Sequence, residues 1–376
     1  YPAVVNGKII WIVDGYTTNS GYPYAKRINL ADATTNSLTT SAASVAPLPN
    51  KTVNYIRNSV KATVDAFDGS VTLYQWDEKD PVVRTWAKAF PGTLRPKSEM
   101  STQLLSHIRY PEDLFGVQRD ILSTYHVENA SAYYGGQDFW RVPTDPSSMG
   151  ANNGVQPPYY TTLQMPGDKS SAFSLTTAFV PKGNRQNLTA FAAVNSDFGP
   201  DYGKIQVLQL PRSTNISGPS QVASNFEAKP EVAQALSLLR QGGSDVVLSN
   251  LLTLPVGGGL LYVQPVYVRA TSNSSSYPLL QKVLVSFGDQ IGFDSTLKGA
   301  LDQVFSGATS SVLNSVASGS TSTSGANSNL KEALANAKQA LADSQSALKS
   351  GDFAAYGRAQ DRLKAAITAA IAAQHK

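Results

Sequence analysis

Three histidines are the only imidazoles in this chain of 376 residues, and it has no cysteine. Without thiols the chain can form no disulfide, thiolate nucleophile, iron–sulfur cluster or cysteine zinc site. His107 and His126 lie on or near helical sequence with Glu112, Asp113 and Glu128 close by, residue types that could hold zinc or iron, while His375 stands one residue from the end. Their spacing follows no ligand motif and His-x-x-x-His does not occur, so two helix-end histidines satisfied by hydrogen bonds are the plainer reading. No tightly bound metal and no cofactor are expected. Serine catalysis needs a nucleophile, a base and an oxyanion hole. Gly-x-Ser-x-Gly is missing, and Gly242-Gly243-Ser244-Asp245 leads into a strand rather than a helix. Gly257-Gly258-Gly259 also precedes a strand, so a phosphate would find no helix N-terminus there. Asp65, Asp68, Asp77, Glu78 and Asp80 crowd one stretch without the register of a calcium loop. No residue is assigned a catalytic role, although paired carboxylates for glycoside cleavage carry no local mark and stay open.

Binding is better supported than catalysis. His107, Arg109, Tyr110, Glu112 and Asp113 surround Tyr110-Pro111, where one helix is expected to end and another to begin. The acidic pair falls in the first turn, which the helix dipole favours, and Arg109 is expected beside one of the two. Tyr133, Tyr134 and Trp140 belong to a set of aromatics clustered around Pro and Gly in loops. At a wet surface such rings stack on sugars or anchor a partner; the alternative is that they pack loops against sheets.

The elements that must position these residues are legible in outline. Lys8 to Val13 reads as a buried strand stopped by Asp14-Gly15, and 34–49 as a surface loop. Val60, Ala62 and Val64 alternate, Asp68-Gly69 makes a turn, and Val71, Leu73 and Tyr74 resume, which predicts a tight hairpin. Asp80 caps a helix opened by Pro81 and running to Phe90. Ser101 caps a second that ends near Arg109, and Pro111 opens a third with Leu114, Val117, Ile121, Leu122 and Tyr125 on its apolar face. Strands are predicted over 171–180, 188–194, 204–209, 246–254, 260–270 and 282–287, with a helix over 231–240. Pro265 marks an edge or a bulge in its strand. Helices interspersed among hairpins predict an α+β fold of mostly antiparallel sheets. This body occupies 1–305, with a seam between two lobes near 144–158. A Ser/Gly-rich linker over 306–328 precedes a C-terminal α-helical hairpin over 329–376.

Charged residues make up only 15% of the chain, which leaves Ser, Thr, Asn and Gln to form the polar surface. The formal charge is +4, of which the tail beyond Asn329 carries +3. A near-neutral body without a basic stripe argues against nucleic acid, whose binding rests on neutralising phosphates. No stretch approaches the roughly 20 apolar residues that cross a bilayer, and no signal peptide is expected within this sequence. Tyr1 opens straight into strand-like sequence, so a boundary inside a longer chain is expected there.

Several segments together resemble a known family. Asn54-Tyr-Ile-Arg-Asn-Ser-Val-Lys61, Val64-Asp-Ala-Phe-Asp-Gly69, His107-Ile-Arg-Tyr-Pro-Glu-Asp-Leu-Phe115, Thr124-Tyr-His126, Asp138-Phe-Trp140, Asn250-Leu-Leu252 and Leu260-Leu-Tyr-Val-Gln-Pro265 are similar to uncharacterised protein family 0182. Asp14-Gly-Tyr-Thr-Thr18 with Tyr22-Pro-Tyr24 also fits. These are large actinobacterial and cyanobacterial membrane proteins with N-terminal spans and a large extracytoplasmic region. The resemblance implies that the chain is the C-terminal part of such a protein, attached to the cell membrane through the rest of its polypeptide and lying on the extracytoplasmic side. It brings no reaction and no catalytic residue. The expected function is therefore a non-enzymatic extracytoplasmic domain of a bacterial envelope membrane protein. Its partners would be the remainder of the membrane-spanning chain and an envelope protein, glycan or lipid, without nucleic acid. The alternative is an envelope hydrolase whose site is assembled from scattered residues.

Overall fold

In a computed structural model, the described residues are 1–41, 45–148, 154–211, 213, 215–241, 243–271, 277–305 and ten helical positions between 336 and 366. The chain divides into two compact units, Tyr1–Gly307 and Ala308–Lys376. The first unit is α+β with mostly antiparallel sheets. In chain order it contains β1 (Pro2–Val5), β2 (Lys8–Asn19), β3 (Ile28–Asn29), α1 (Leu30–Thr34), α2 (Ser37–Ser41), β4 (Thr52–Val53), β5 (Tyr55–Asp65), β6 (Val71–Gln75), α3 (Pro81–Ala89) and β7 (Leu94–Pro96). There follow α4 (Thr102–Ser106), α5 (Glu112–Tyr125), α6 (Ala130–Tyr134), β8 (Trp140–Arg141), β9 (Tyr159–Leu163), β10 (Ala172–Pro181), β11 (Ala190–Asn195) and β12 (Ile205–Gln209). The last elements are α7 (Pro219–Ala228), α8 (Pro230–Leu239), β13 (Ser244–Leu248), β14 (Leu252–Val256), β15 (Gly259–Ala270), β16 (Leu279–Phe287) and β17 (Gln290–Asp294).

Three five-stranded sheets result, in the orders β1-β2-β5-β6-β7, β12-β11-β10-β8 with β9 also on β10, and β13-β15-β16-β17 with β14 also on β15. Among the described strands only β6 and β7 pair in parallel. Local chemistry explains the caps. Asp80 accepts from the amides of Val82 (2.9 Å) and Val83 (3.3 Å), and Ser101 from that of Leu104 (3.1 Å). The β5–β6 loop turns through Gly69 at φ +72°, with Asp65 N donating to Ser70 O, so it is longer than a two-residue turn. Gly257 and Gly258, at φ +58° and +78°, close the β14–β15 hairpin as the triglycine implies.

Several expectations are corrected. β2 does not stop at Asp14-Gly15 but runs on to Asn19, because β5 carries an extra residue, Ser59, opposite that point and absorbs the irregularity. Nor is Lys8–Val13 buried on both faces: Ile12 is enclosed while Ile9, Trp11 and Val13 are exposed. The stretch 34–49 is no plain loop, since α2 lies in it and the Asn36 side chain accepts from the amides of Leu38 and Thr39. The expected strand over 246–254 is two, β13 and β14, which share one edge of β15. Pro265 lies in a central strand, so of the edge or bulge expected there it is the bulge-type irregularity that the structure shows. Its absent amide is tolerated because it falls where β13 has ended and β14 has not begun, and a register shift follows at Val266/Tyr267. On α5 the buried face is Phe115, Gly116, Val117, Arg119 and Ser123, whereas Ile121 and Tyr125 are exposed.

The largest core cluster packs Val222, Phe226, Val232 and Leu236 of α7 and α8 against Leu260, Tyr262 and Val266 of β15. Under the first sheet, Val5, Ile12 and Trp76 meet Met100, Leu104 and Ile108. The linker expected over 306–328 lies outside the described residues, as does most of the hairpin expected over 329–376. Within the second unit Arg362 and Asp343 pair at 3.0 Å. Among the described residues no helix is long and apolar enough to cross a membrane.

Candidate functional site

Asp14 and Lys61 are cross-strand neighbours on β2 and β5, and both point to the inner face of the first sheet. Lys61 is completely buried. Its ammonium binds the Asp14 carboxylate and donates to the Arg109 carbonyl at 3.3 Å, while lying 5.2 Å from the centre of the Trp76 ring. Burial pulls this ammonium below the ordinary lysine range, and Asp14 opposes that pull.

The Arg109–Pro111 junction between α4 and α5 is clamped by hydroxyls. Arg109 N donates to the Tyr1 hydroxyl (2.9 Å), Tyr202 donates to Arg109 O (3.0 Å), and Tyr160 donates to Tyr110 O (2.5 Å). The clamp fixes where α5 starts, and so where Glu112 and Asp113 stand. Gly116, one turn on, lets α5 approach α1: a Cβ there would lie 3.0 Å from the Ala33 carbonyl oxygen.

These elements enclose a cleft of about 540 Å³, lined by Tyr1, Asp14, Tyr16, Arg109, Glu112, Asp113, Arg119 and Tyr160 among others. The Arg109 guanidinium lies 4.5 Å from the Tyr1 ring centre and 5.6 Å from that of Tyr160, a stacked cation rather than an ion-paired one. Arg109 shares the cleft with Glu112 and Asp113, but the expected pairing is not seen: among the described residues no ion pair within 4.0 Å joins them. Arg119 is buried and donates to Gln156 O at 2.8 Å. Burial brings its guanidinium down to about 10, against the pull of Glu112. Burial raises Glu112, with Asp113 adding to the rise and Arg119 opposing it, and burial raises Asp113, with Asp14 adding. Burial likewise raises the Tyr16 and Tyr160 hydroxyls, so both remain donors at neutral pH.

A carboxyl raised on folding binds more protons in the native state than in the unfolded one. Stability therefore falls as pH rises through that window, and the cost persists above it. Glu112→Gln should raise the stability of the chain at pH 7 by on the order of 1 kcal/mol and leave it nearly unchanged in acid, where both forms are neutral. Urea midpoints at pH 7 and pH 4 read this. An equal shift at both would assign the effect to packing instead.

The sequence-derived candidates divide among several places. Arg109, Glu112 and Asp113 meet in the cleft. Tyr110 is buried behind them, its hydroxyl on Gln118 Oε1 at 2.9 Å, and it borders a different hollow of about 490 Å³. The His107 ring folds back onto its own helix, with Nδ1 2.8 Å from Gln103 O. Tyr133 packs against Tyr125 and Phe139, Tyr134 is exposed, and Trp140 is buried under the His126 ring. The nitrogens of His126 face Leu122 O (2.8 Å) and Asp138 O (3.0 Å). Among the described residues no group of three or more His, Asp or Glu is placed to hold a metal. Sequence reasoning missed Asp14, Tyr16, Lys61 and Arg119 as members of the site. The available signals were an arginine one turn from Phe115 on a buried helix face and a lysine inside an alternating strand.

Residues 1–239 match the sequence model of the Uncharacterised protein family (UPF0182), and the chain belongs to that family. A UPF0182 protein of Thermobifida fusca is 54% identical over 99% of this chain and 37% of its own length. Counterparts from Leifsonia xyli subsp. xyli and Streptomyces coelicolor are 50% and 49% identical over the whole chain and over 42% and 38% of their own lengths. The chain thus spans about two fifths of the curated relatives it matches. No solved structure matches it.

Proposed function

We propose that the chain is the ligand-binding, non-enzymatic body of a bacterial envelope membrane protein, held on the extracytoplasmic side, and that its cleft takes an uncharged polyhydroxylated ligand of the glycan class. The cleft lining carries the reading: two tyrosines flank an arginine, and three carboxyls share the space with cationic Arg109 and Arg119 and with Lys61 behind Asp14. Cationic and carboxyl groups match in number, and their donors and acceptors suit hydroxyl groups. The low share of charged residues fits an envelope location, and the greater length of the relatives leaves room for membrane-spanning chain elsewhere.

Saturation-transfer NMR with neutral oligosaccharides of glucose, mannose and arabinose tests the cleft. Transfer from at least one of them, lost in Arg109→Ala, supports the reading; no transfer, or transfer that survives this substitution, overturns it. One observation favours the hydrolase as a second reading. Burial keeps Glu112 toward its protonated form while Lys61 fixes Asp14 as an ion pair, the contrast of carboxyls that acid–base cleavage uses. Shortened sugars in the same samples, abolished by Glu112→Gln, would replace binding with hydrolysis.

A further inference from the structure

The outer face of the first sheet has the composition of an interior. Cross-strand partners share a face, so the pairs Val4↔Ile9, Trp11↔Val64 and Val64↔Val71, with Val13 two residues beyond Trp11, place these side chains together on one side. Val4, Ile9, Trp11, Val13 and Val71 are 48–61% exposed. The opposite side, which carries Asp14, Lys61, Thr63 and Asp65, is the buried one. An antiparallel sheet with one solvated face normally turns its polar residues to water, whereas here the outer face is apolar in addition to the Val5, Ile12 and Trp76 core beneath. The apolar surface continues through Val60 to Trp86 and Phe90 of α3, whose rings stack 5.7 Å apart. A continuous exposed area of this kind marks an interface.

We propose that this face is covered by a further segment of the same polypeptide, one lying outside these 376 residues and presenting an apolar helix or sheet face of its own. The length of the relatives supports this occupant: about three fifths of each lies beyond the part that this chain matches. Charge supports it as well. The paired positions on this face are all uncharged, and Lys8 on the β1–β2 hairpin is already bound to Asp65 at 2.8 Å, which leaves little to attract an anionic lipid surface. The proposal is independent of what the cleft binds.

The chain has no cysteine, so a single introduced thiol reports on one position. Ile9→Cys and Val13→Cys place it on the face, and Tyr134→Cys, on an exposed ring of α6, serves as control. The 376-residue chain and the complete polypeptide, freed of any other thiols, would be labelled with a maleimide under native conditions. Labelling at 9 and 13 should fall at least about tenfold in the complete polypeptide, in detergent and in vesicles alike, while 134 stays reactive in both. Equal labelling in the two chains overturns the proposal. So does protection that appears in the short chain as its concentration rises, which would assign the face to a second copy. Protection seen only in vesicles and lost in detergent would assign it to lipid and overturn it too. Ile9→Ser with Val71→Ser supplies a second readout: the melting temperature of the short chain should hold while that of the complete polypeptide drops.

Discussion

Lys61→Ala should destabilise the first unit by roughly 3 kcal/mol, the largest single-residue effect expected in the chain. Removing one partner of a buried pair leaves the other charge uncompensated, a far larger loss than the net contribution of the pair. Here it would strand Asp14 against the sheet, remove a donor from the Arg109 carbonyl and open a cavity beside Trp76. Lys61→Met keeps most of the volume but still leaves Asp14 unpaired, so it should cost nearly as much. Lys61→Met with Asp14→Asn should recover most of the loss, because neither charge then remains. Chemical denaturation of the three variants reads this. If Lys61→Ala unfolds at the wild-type midpoint, the pair is not what holds β2 and the helix junction together.

Asp80→Ala should follow, at about 2–3 kcal/mol, since it removes a helix cap and the acceptor of three hydroxyls at once. Asp80 is enclosed and accepts from Thr17 Oγ1 (2.5 Å), Ser59 Oγ (2.5 Å) and the Tyr55 hydroxyl (2.6 Å) as well as from the α3 amides. Burial pushes its carboxyl up, but the bonds from Ser59, Thr17, Tyr55 and Val82 outweigh burial and hold it at about 2. A carboxyl depressed on folding stabilises above its unfolded value near 3.8 and loses that contribution as pH falls toward about 2. Asp80→Asn should therefore narrow its gap to wild type across that window, by about 2 kcal/mol in all. Stability curves that stay parallel from pH 6 to pH 2 would show that the carboxylate charge does no stabilising there.

Much of the fold was legible because its signals are local. Asp80-Pro81, Ser101, Pro111 and the triglycine each set a cap or turn through their own backbone and nearest amides, and the structure places all four as expected. The cleft was legible only where it coincides with one of those signals, the first turn of α5. Asp14, Tyr16 and Tyr160 reach it from other strands, and nothing in their own neighbourhoods marks the meeting. The alternation of Val60, Ala62 and Val64 announces a strand but cannot say which side is enclosed. In β5 the enclosed side carries Lys61, Thr63 and Asp65, made tolerable by partners that only the tertiary structure supplies. Lys8–Val13 misled for the same reason: a run apolar from Ile9 to Val13 was read as a buried strand, whereas one of its faces lies open in this chain.

The clamp on the Arg109–Pro111 junction also orders events in time. Its bonds come from residues 108, 93, 50 and 48 positions away in sequence, so each waits on the closure of a long loop. Contacts of such high order carry a loop-closure cost that the local hairpins of the third sheet do not, so they are expected to form after those hairpins. The cleft therefore exists only in the finished chain and should vanish with the first cooperative opening of the first unit. A molecule bound there meets no partly folded species able to hold it, so its binding energy should appear undiminished as a rise in unfolding temperature with concentration.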